Sequence, residues 1–212
     1  MSREVTTGTV KTVKEINRVI SNAKLKDSKL RFVKLGELVD LEVKVYADAS
    51  FCNQEGSIKS TAGRVILLQN PKTNMSNIVS WKTKKINRVC RSVKTSETRA
   101  MDDAIDEGIH TARIIKEIYN GSINLRNPEQ VPVSAYTDSK SLWESLHNSR
   151  QCEERLLRNT VALLKELMQN KMVKSIQWVP TDKQLADCMT KKGSKDKANW
   201  LLDVAKTNYL KI

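Results

Sequence analysis

Apolar residues recur along this chain with two different periods, and the switches between them lay out its elements. Over residues 9–24, Val10, Val13, Ile16 and Ile20 fall at helical spacing and predict an amphipathic helix at the start of the chain. A polar stretch, 26–35, follows. Residues 41–48 then alternate as a strand does, with Leu41, Val43, Val45 and Ala47 on one face and Glu42, Lys44, Tyr46 and Asp48 on the other. Two further strands are predicted at 64–69 and 78–82, and the turn formers between them (Asn-Pro-Lys-Thr-Asn-Met-Ser-Asn) make the pair a hairpin. Next comes a helical stripe of Met101, Ile105, Gly108, Ala112, Ile115 and Tyr119, closed by Asn120-Gly121, where glycine suits the left-handed cap.

The second half continues with a strand at 133–137 and a short helix at 141–147. A long helix is predicted at 153–169, with Leu156, Leu157, Thr160, Val161, Leu164, Leu167 and Met168 inward. A last strand spans 175–179. Pro180 interrupts, and Thr-Asp-Lys-Gln at 181–184 reads as a capping box opening another helix. A terminal helix at 196–207 carries Trp200, Leu201 and Val204. Strands with short connections are antiparallel and those separated by helices are parallel, so the pattern predicts an α/β fold: a five-stranded mixed sheet with helices on its faces.

Composition narrows the class. The chain has 212 residues, enough to bury a core without disulfide or metal staples. No apolar run is long enough for a membrane-spanning helix, so no membrane partner is expected, and the polar N-terminus has no signal-peptide core. Cys52, Cys90, Cys152 and Cys188 lie far apart and without flanking histidines, which predicts reduced intracellular thiols rather than a disulfide framework or a zinc site.

Charge changes the picture more. Lys and Arg number 37 against 24 Asp and Glu, a net +13, which suits a polyanionic partner. Residues 82–94 hold six cations and no acid. Lys82, Lys84, Lys85, Arg88, Arg91 and Ser92 are therefore candidate contacts to a nucleic-acid backbone, or else the guarded edge of a strand.

Against that basic background a few acids stand in inward positions. Two strands end alike, Tyr46-Ala47-Asp48 and Tyr136-Thr137-Asp138, and ligands of open α/β sheets bind beyond the carboxyl ends of strands. Singly, such an Asp is a turn former or helix cap; the matched pair points to a site. Glu97 lies one turn before Met101 on the apolar stripe, with Thr95 or Ser96 as the expected cap, and Asp187 is flanked by apolar neighbours after the last strand. Gathered carboxylates repel one another unless cations neutralise them, and their hard oxygens suit Mg²⁺ or Mn²⁺. Two such ions about 4 Å apart clamp both oxygens of a phosphodiester displacement.

The order Asp48, Glu97, Asp138, Asp187 resembles the ribonuclease H domain. More narrowly, Tyr-Ala-Asp-Ala-Ser-Phe (46–51), the basic 80–92 run, Ser-Glu-Thr-Arg-Ala-Met (96–101), Tyr-Thr-Asp-Ser-Lys-Ser-Leu (136–142) and the 181–193 segment resemble the ribonuclease H region of a copia-type retrotransposon Pol polyprotein. The resemblance implies a ribonuclease H-like domain at 34–193, preceded by a helical connecting segment at 1–33 and followed by a C-terminal helix at 194–212. It implies hydrolysis of the RNA strand of RNA/DNA hybrids with two Mg²⁺ ions, Mn²⁺ substituting, and the reverse transcriptase part of the parent polyprotein as a partner. By motif, Asp48 would bridge both ions, Asp187 would complete the site of the ion beside the attacking water, and Glu97 with Asp138 the site of the other. Glu97 would also sense the ribose 2′-hydroxyl.

The chain departs from that pattern in two places. Thr98-Arg99-Ala100 follows Glu97 where relatives more often carry Ala-Glu-Tyr, and no histidine lies in the 180–185 loop. His110 and His147 are expected to pack on helices, and Trp81 and Trp178 to anchor the core rather than stack on bases. A non-catalytic nucleic-acid-binding remnant remains the alternative. An integrase-like enzyme is disfavoured, since its Glu would follow the second Asp.

Overall fold

The computed structural model describes residues 8–25, 29–52, 59–121, 131–148, 152, 154–191 and 195–211. They belong to two compact units, Met1–Leu30 and Arg31–Ile212. The first holds α1 (Val10–Leu25), which buries only Thr12. The start of the expected long helix at Glu153, the Lys192-Gly193 end of the 181–193 motif, and parts of the expected connecting segment (1–7 and 26–28) lie outside the described residues.

The second unit is built on five strands: β1 (Glu42–Ser50), β2 (Thr61–Asn70), β3 (Met75–Lys85), β4 (Val133–Thr137) and β5 (Ser175–Trp178). Their order across the sheet is β3-β2-β1-β4-β5. β1, β2 and β3 are antiparallel, and β4 pairs parallel with both β1 and β5. This is the five-stranded mixed sheet that the sequence predicts. Among the described residues five helices accompany it: α2 (Val93–Asn120), α3 (Lys140–His147), α4 (Arg158–Gln169), α5 (Asp187–Thr190) and α6 (Lys195–Thr207).

Helices cover both faces, so the two sets of alternating residues on β1 are both buried. Val43, Val45 and Ala47 pack with Met101, Ala104, Ile105 and Ala112 of α2, and with Leu142, Val161 and Leu164 of α3 and α4. Tyr46 faces the other layer, with Leu185, Ala186 and Val204 of the α5–α6 region. Where α2 crosses β1 there is no room for a side chain: a Cβ on Gly108 would stand 2.5 Å from Val45 Cγ2.

Several local expectations are corrected. The N-cap of α2 is Ser92, whose Oγ accepts from the Thr95 amide at 3.0 Å, so the helix starts before Thr95 and Glu97 falls in its second turn. The helix at 153–169 is shorter, because Arg155–Leu157 is a 3-10 turn. That turn sets the phase so that Leu157, Val161 and Leu164 face inward, and Leu156 is left 60 % exposed. Trp81 and Trp178 are not core anchors: they are 54 % and 45 % exposed. Each sits on an edge strand, Trp81 on β3 and Trp178 at the end of β5, where no neighbouring strand covers the outer side.

Thr181 to Gln184 forms no capping box either. Thr181–Lys183 is a 3-10 turn without a side-chain cap, and the buried Gln184 turns into the sheet. His110 and His147 do lie on helices, and Cys90, Cys152 and Cys188 are free thiols. Among the described residues no helix is long and apolar enough to cross a membrane.

Candidate active site

The last register pair between β1 and β4 is Tyr46 with Tyr136, whose rings stack at 4.8 Å. Asp48 and Asp138 each stand two residues beyond that pair. Past it the two strands splay, and the Gln184 side chain fills the gap, its Nε2 donating to Ala47 O at 3.0 Å and Tyr136 O at 3.3 Å. The same segment carries the chain into α5, whose first residue is Asp187. Asp48, Asp138 and Asp187 thereby meet, each offering a carboxylate oxygen, all within 4.8 Å of one another.

Glu97 is buried beside them on α2, its Oε1 accepting from the Ala49 amide at 3.2 Å. It does not belong to the set that offers oxygens within that span. Asp48 and Asp187 are also buried, whereas Asp138 is half-buried and takes a hydrogen bond at Oδ2 from Thr181 Oγ1 at 3.0 Å. Asp138's backbone is tied as well, since Trp178 Nε1 donates to its carbonyl at 3.1 Å.

Electrostatics follow from crowding anions away from water. Burial, helped by the Asp187 and Asp138 charges, pushes Asp48 up to about 6, against the opposing Thr190 hydroxyl and Lys191 ammonium. Burial, with Asp48 and Asp138 nearby, pushes Glu97 up to about 9. At neutral pH and without a cation, Glu97 therefore holds a proton, and Oε2 carries it because Oε1 accepts the Ala49 N–H.

Three groups that sequence reasoning missed complete the arrangement. Thr190 Oγ1 donates to Asp48 Oδ2. Lys191 Nζ lies 2.6 Å from Asp187 Oδ1 and 3.5 Å from Asp48 Oδ1. Burial alone would lower the Lys191 ammonium, yet its bond to Asp187 and the surrounding carboxylate charge raise it. Lys197, from α6, pairs with Asp187 Oδ2 and also donates to Thr181 O. Thr190 and Lys191 lie within the 181–193 motif and were legible there; Lys197 lies outside it and carries no sequence signal.

The cationic candidates run along the end of edge strand β3 and into α2. Lys82, Arg88 and Arg91 are exposed, and Lys85 is half-buried. Lys84 is paired with Asp103 at 2.6 Å, so part of its charge is already met. Ser92 is occupied by its cap and by Glu154 Oε2 at 3.0 Å.

Carboxylate oxygens alone, converging from two strand ends and a helix start, fit a hard divalent cation. No family model matches the chain. Among solved structures it is similar to the N-terminal RNase H domain of a Mycobacterium tuberculosis protein, at 15 % identity over 79 % of this chain and 97 % of that one, TM-score 0.45. It is also similar to LC11-RNase H1, isolated from compost and crystallised with an RNA/DNA hybrid, at 16 % identity over 74 % and 99 %, TM-score 0.46. A third similarity is to the prototype foamy virus protease-reverse transcriptase, at 14 % identity over 88 % of this chain and 23 % of that one, TM-score 0.37.

Proposed function

We propose that this chain hydrolyses the RNA strand of RNA/DNA hybrids with divalent metal ions, as the ribonuclease H region of a copia-type retrotransposon Pol polyprotein. The observation that carries the activity is the meeting of Asp48, Asp138 and Asp187 at the ends of β1 and β4 and the start of α5. The motif resemblance at 46–51, 96–101, 136–142 and 181–193 supports the copia-type origin. In this reading 1–33 is the connecting segment, 34–193 the nuclease domain and 194–212 a C-terminal helix, with the reverse transcriptase part as partner.

Asp48, Asp138 and Asp187 would hold the metal, with Glu97 as the fourth acid; two Mg²⁺ ions, replaceable by Mn²⁺, are proposed. When bound, such ions supply charge stabilisation at the attacked phosphate and the departing 3′ oxygen. The chain's own groups set the stage for this. Thr190 orients Asp48, and Thr181 and Trp178 hold Asp138 from its side chain and its backbone. Glu97, anchored at Oε1 by Ala49, keeps Oε2 for a proton or for the ribose 2′-hydroxyl that separates RNA from DNA. Lys82, Lys85, Arg88 and Arg91 meet phosphates beside the site, and Lys84 and Ser92 do so on releasing their present partners. Water attacks phosphorus and the bond to the 3′ oxygen breaks, leaving 5′-phosphate and 3′-hydroxyl ends.

Cleavage of a labelled RNA strand in a hybrid, with Mg²⁺ or EDTA, tests this beside Asp48→Asn. The expected result is metal-dependent cutting that falls at least ~100-fold in the variant and does not occur on duplex DNA. Absence of cutting, with salt-sensitive hybrid binding that Asp48→Asn retains, would overturn the enzyme and leave a nucleic-acid-binding module.

A further inference from the structure

Beyond Asp138, between α3 and the open edge of β5, runs a groove of about 510 Å³, within the ~300–1,000 Å³ range of ligand pockets. Lys140, Trp143, His147, Gln177 and Trp178 are among the residues that line it. Trp143 and His147, one helical turn apart, stack with ring centroids 4.5 Å apart, and His147 Nδ1 lies 2.9 Å from Trp143 O, so the pair is held in place. Trp178 is half in solvent, yet its indole is fixed by the bond from Nε1 to Asp138 O. Rigid, exposed aromatic surface of this kind costs apolar hydration and presents flat faces to a partner. Among the described residues no acid lines the groove, and the Lys140 ammonium at its rim lies 4.0 Å from the exposed Glu144, a solvent-screened pairing of little strength.

We propose that this groove is a stacking site for unpaired nucleotides, taking a single-stranded extension of the nucleic acid that occupies the carboxylate site. Aromatic platforms beside a cation are how sequence-tolerant single-strand binding is built, since every base has a π face and every linkage a phosphate. The net charge of +13 favours a polyanion over the extended peptide that an open strand edge could also receive. Continuity argues the same way: Trp178 touches Asp138 directly, so a strand leaving the carboxylates passes over the indole.

The inference rests on the proposed nucleic-acid substrate, and its test reads binding rather than cutting. The 212-residue chain in EDTA is titrated against a fluorescein-labelled RNA/DNA hybrid, blunt or carrying an oligouridine extension at either end of its RNA strand. Free oligouridine is followed in parallel by quenching of indole fluorescence. The expected result is about tenfold tighter binding of one extended hybrid over the blunt one, with that ratio falling towards unity in Trp143→Ala and in Lys140→Ala. Circular dichroism melting checks that each variant is folded. Equal affinity for blunt and extended hybrids, without indole quenching by oligouridine, overturns the groove, as does a preference that survives both variants. A peptide that quenches where oligouridine does not overturns it too. Cutting of blunt hybrid without extension preference removes the groove and keeps the nuclease; extension preference without cutting does the reverse.

Discussion

Asp187 is the most heavily countered acid of the site, with Lys191 on one carboxylate oxygen and Lys197 on the other. An ammonium and a divalent ion compete for the same oxygens, so each lysine weakens metal binding. Lys197→Met removes one competitor, and it should tighten Mn²⁺ binding several-fold by titration calorimetry, an outcome independent of turnover. Unchanged affinity would mean that Lys197 swings clear when metal binds. The four acids themselves were legible because charge in an inward position is chemically costly and therefore informative. Lys197 was not, because a cation on a basic chain, outside any motif, carries no such signal until its neighbour is known.

At the scale of elements, the site depends on how tightly α5 sits on the sheet. A Cβ on Gly63 would meet Met189 Cβ at 2.5 Å and Thr190 Cγ2 at 2.7 Å, so Gly63→Ala must push α5 outward. Because α5 carries Asp187 and Thr190, hybrid cleavage should fall by roughly 100-fold, with far-UV circular dichroism unchanged. Gln184 is the second structural hinge of the site. Gln184→Leu removes the donor shared by Ala47 O and Tyr136 O in a buried gap, which should cost about 1–3 kcal/mol in urea unfolding. The spacing of Thr181 and Gln184 matched a capping box, but the splay of parallel β1 and β4 offers Gln184 two buried carbonyls, and those outbid a helix start. The periodic elements, by contrast, were read closely where one stripe faced the core: in α2 Met101, Ile105, Gly108, Ala112 and Ile115 are buried and Gly121 caps the helix at φ 70°, while Tyr119, in the last turn, is exposed.

Over the whole molecule, gathered carboxylates make stability depend on pH and on cations together. Glu97 is raised from 4.5 to about 9 and Asp48 from 3.8 to about 6, and Asp102, half-buried on α2 beside Asp106 and Asp103, also rises to about 6. The folded state thus binds more protons than the unfolded one between these limits, and stability falls as pH rises through the window. The contribution is fully present below about pH 4 and is lost progressively up to about pH 9. In EDTA the melting temperature should therefore drop between about pH 6 and about pH 9, each ~1 kcal/mol shifting it by about 2–4 °C. Mg²⁺, binding only the folded site, should restore more at the alkaline end. A flat profile in EDTA would mean that Lys191 and Lys197 already neutralise the cluster.

The sequence by itself determined the order and type of the elements, the two matched strand ends and the acids placed on them. These rest on local properties: alternation and helical periodicity report which residues face a core, and an inward carboxylate in a chain of net +13 stands out by its chemistry. Only the tertiary structure decided what surrounds those acids. Whether Trp178 is a core anchor or an exposed platform depends on β5 being the sheet's edge. Gln184 bonds rather than caps because parallel strands diverge past Tyr46 and Tyr136. Lys197 reaches Asp187 because α6 packs back over the site. Each of these depends on contacts between segments distant in sequence, which no local pattern encodes.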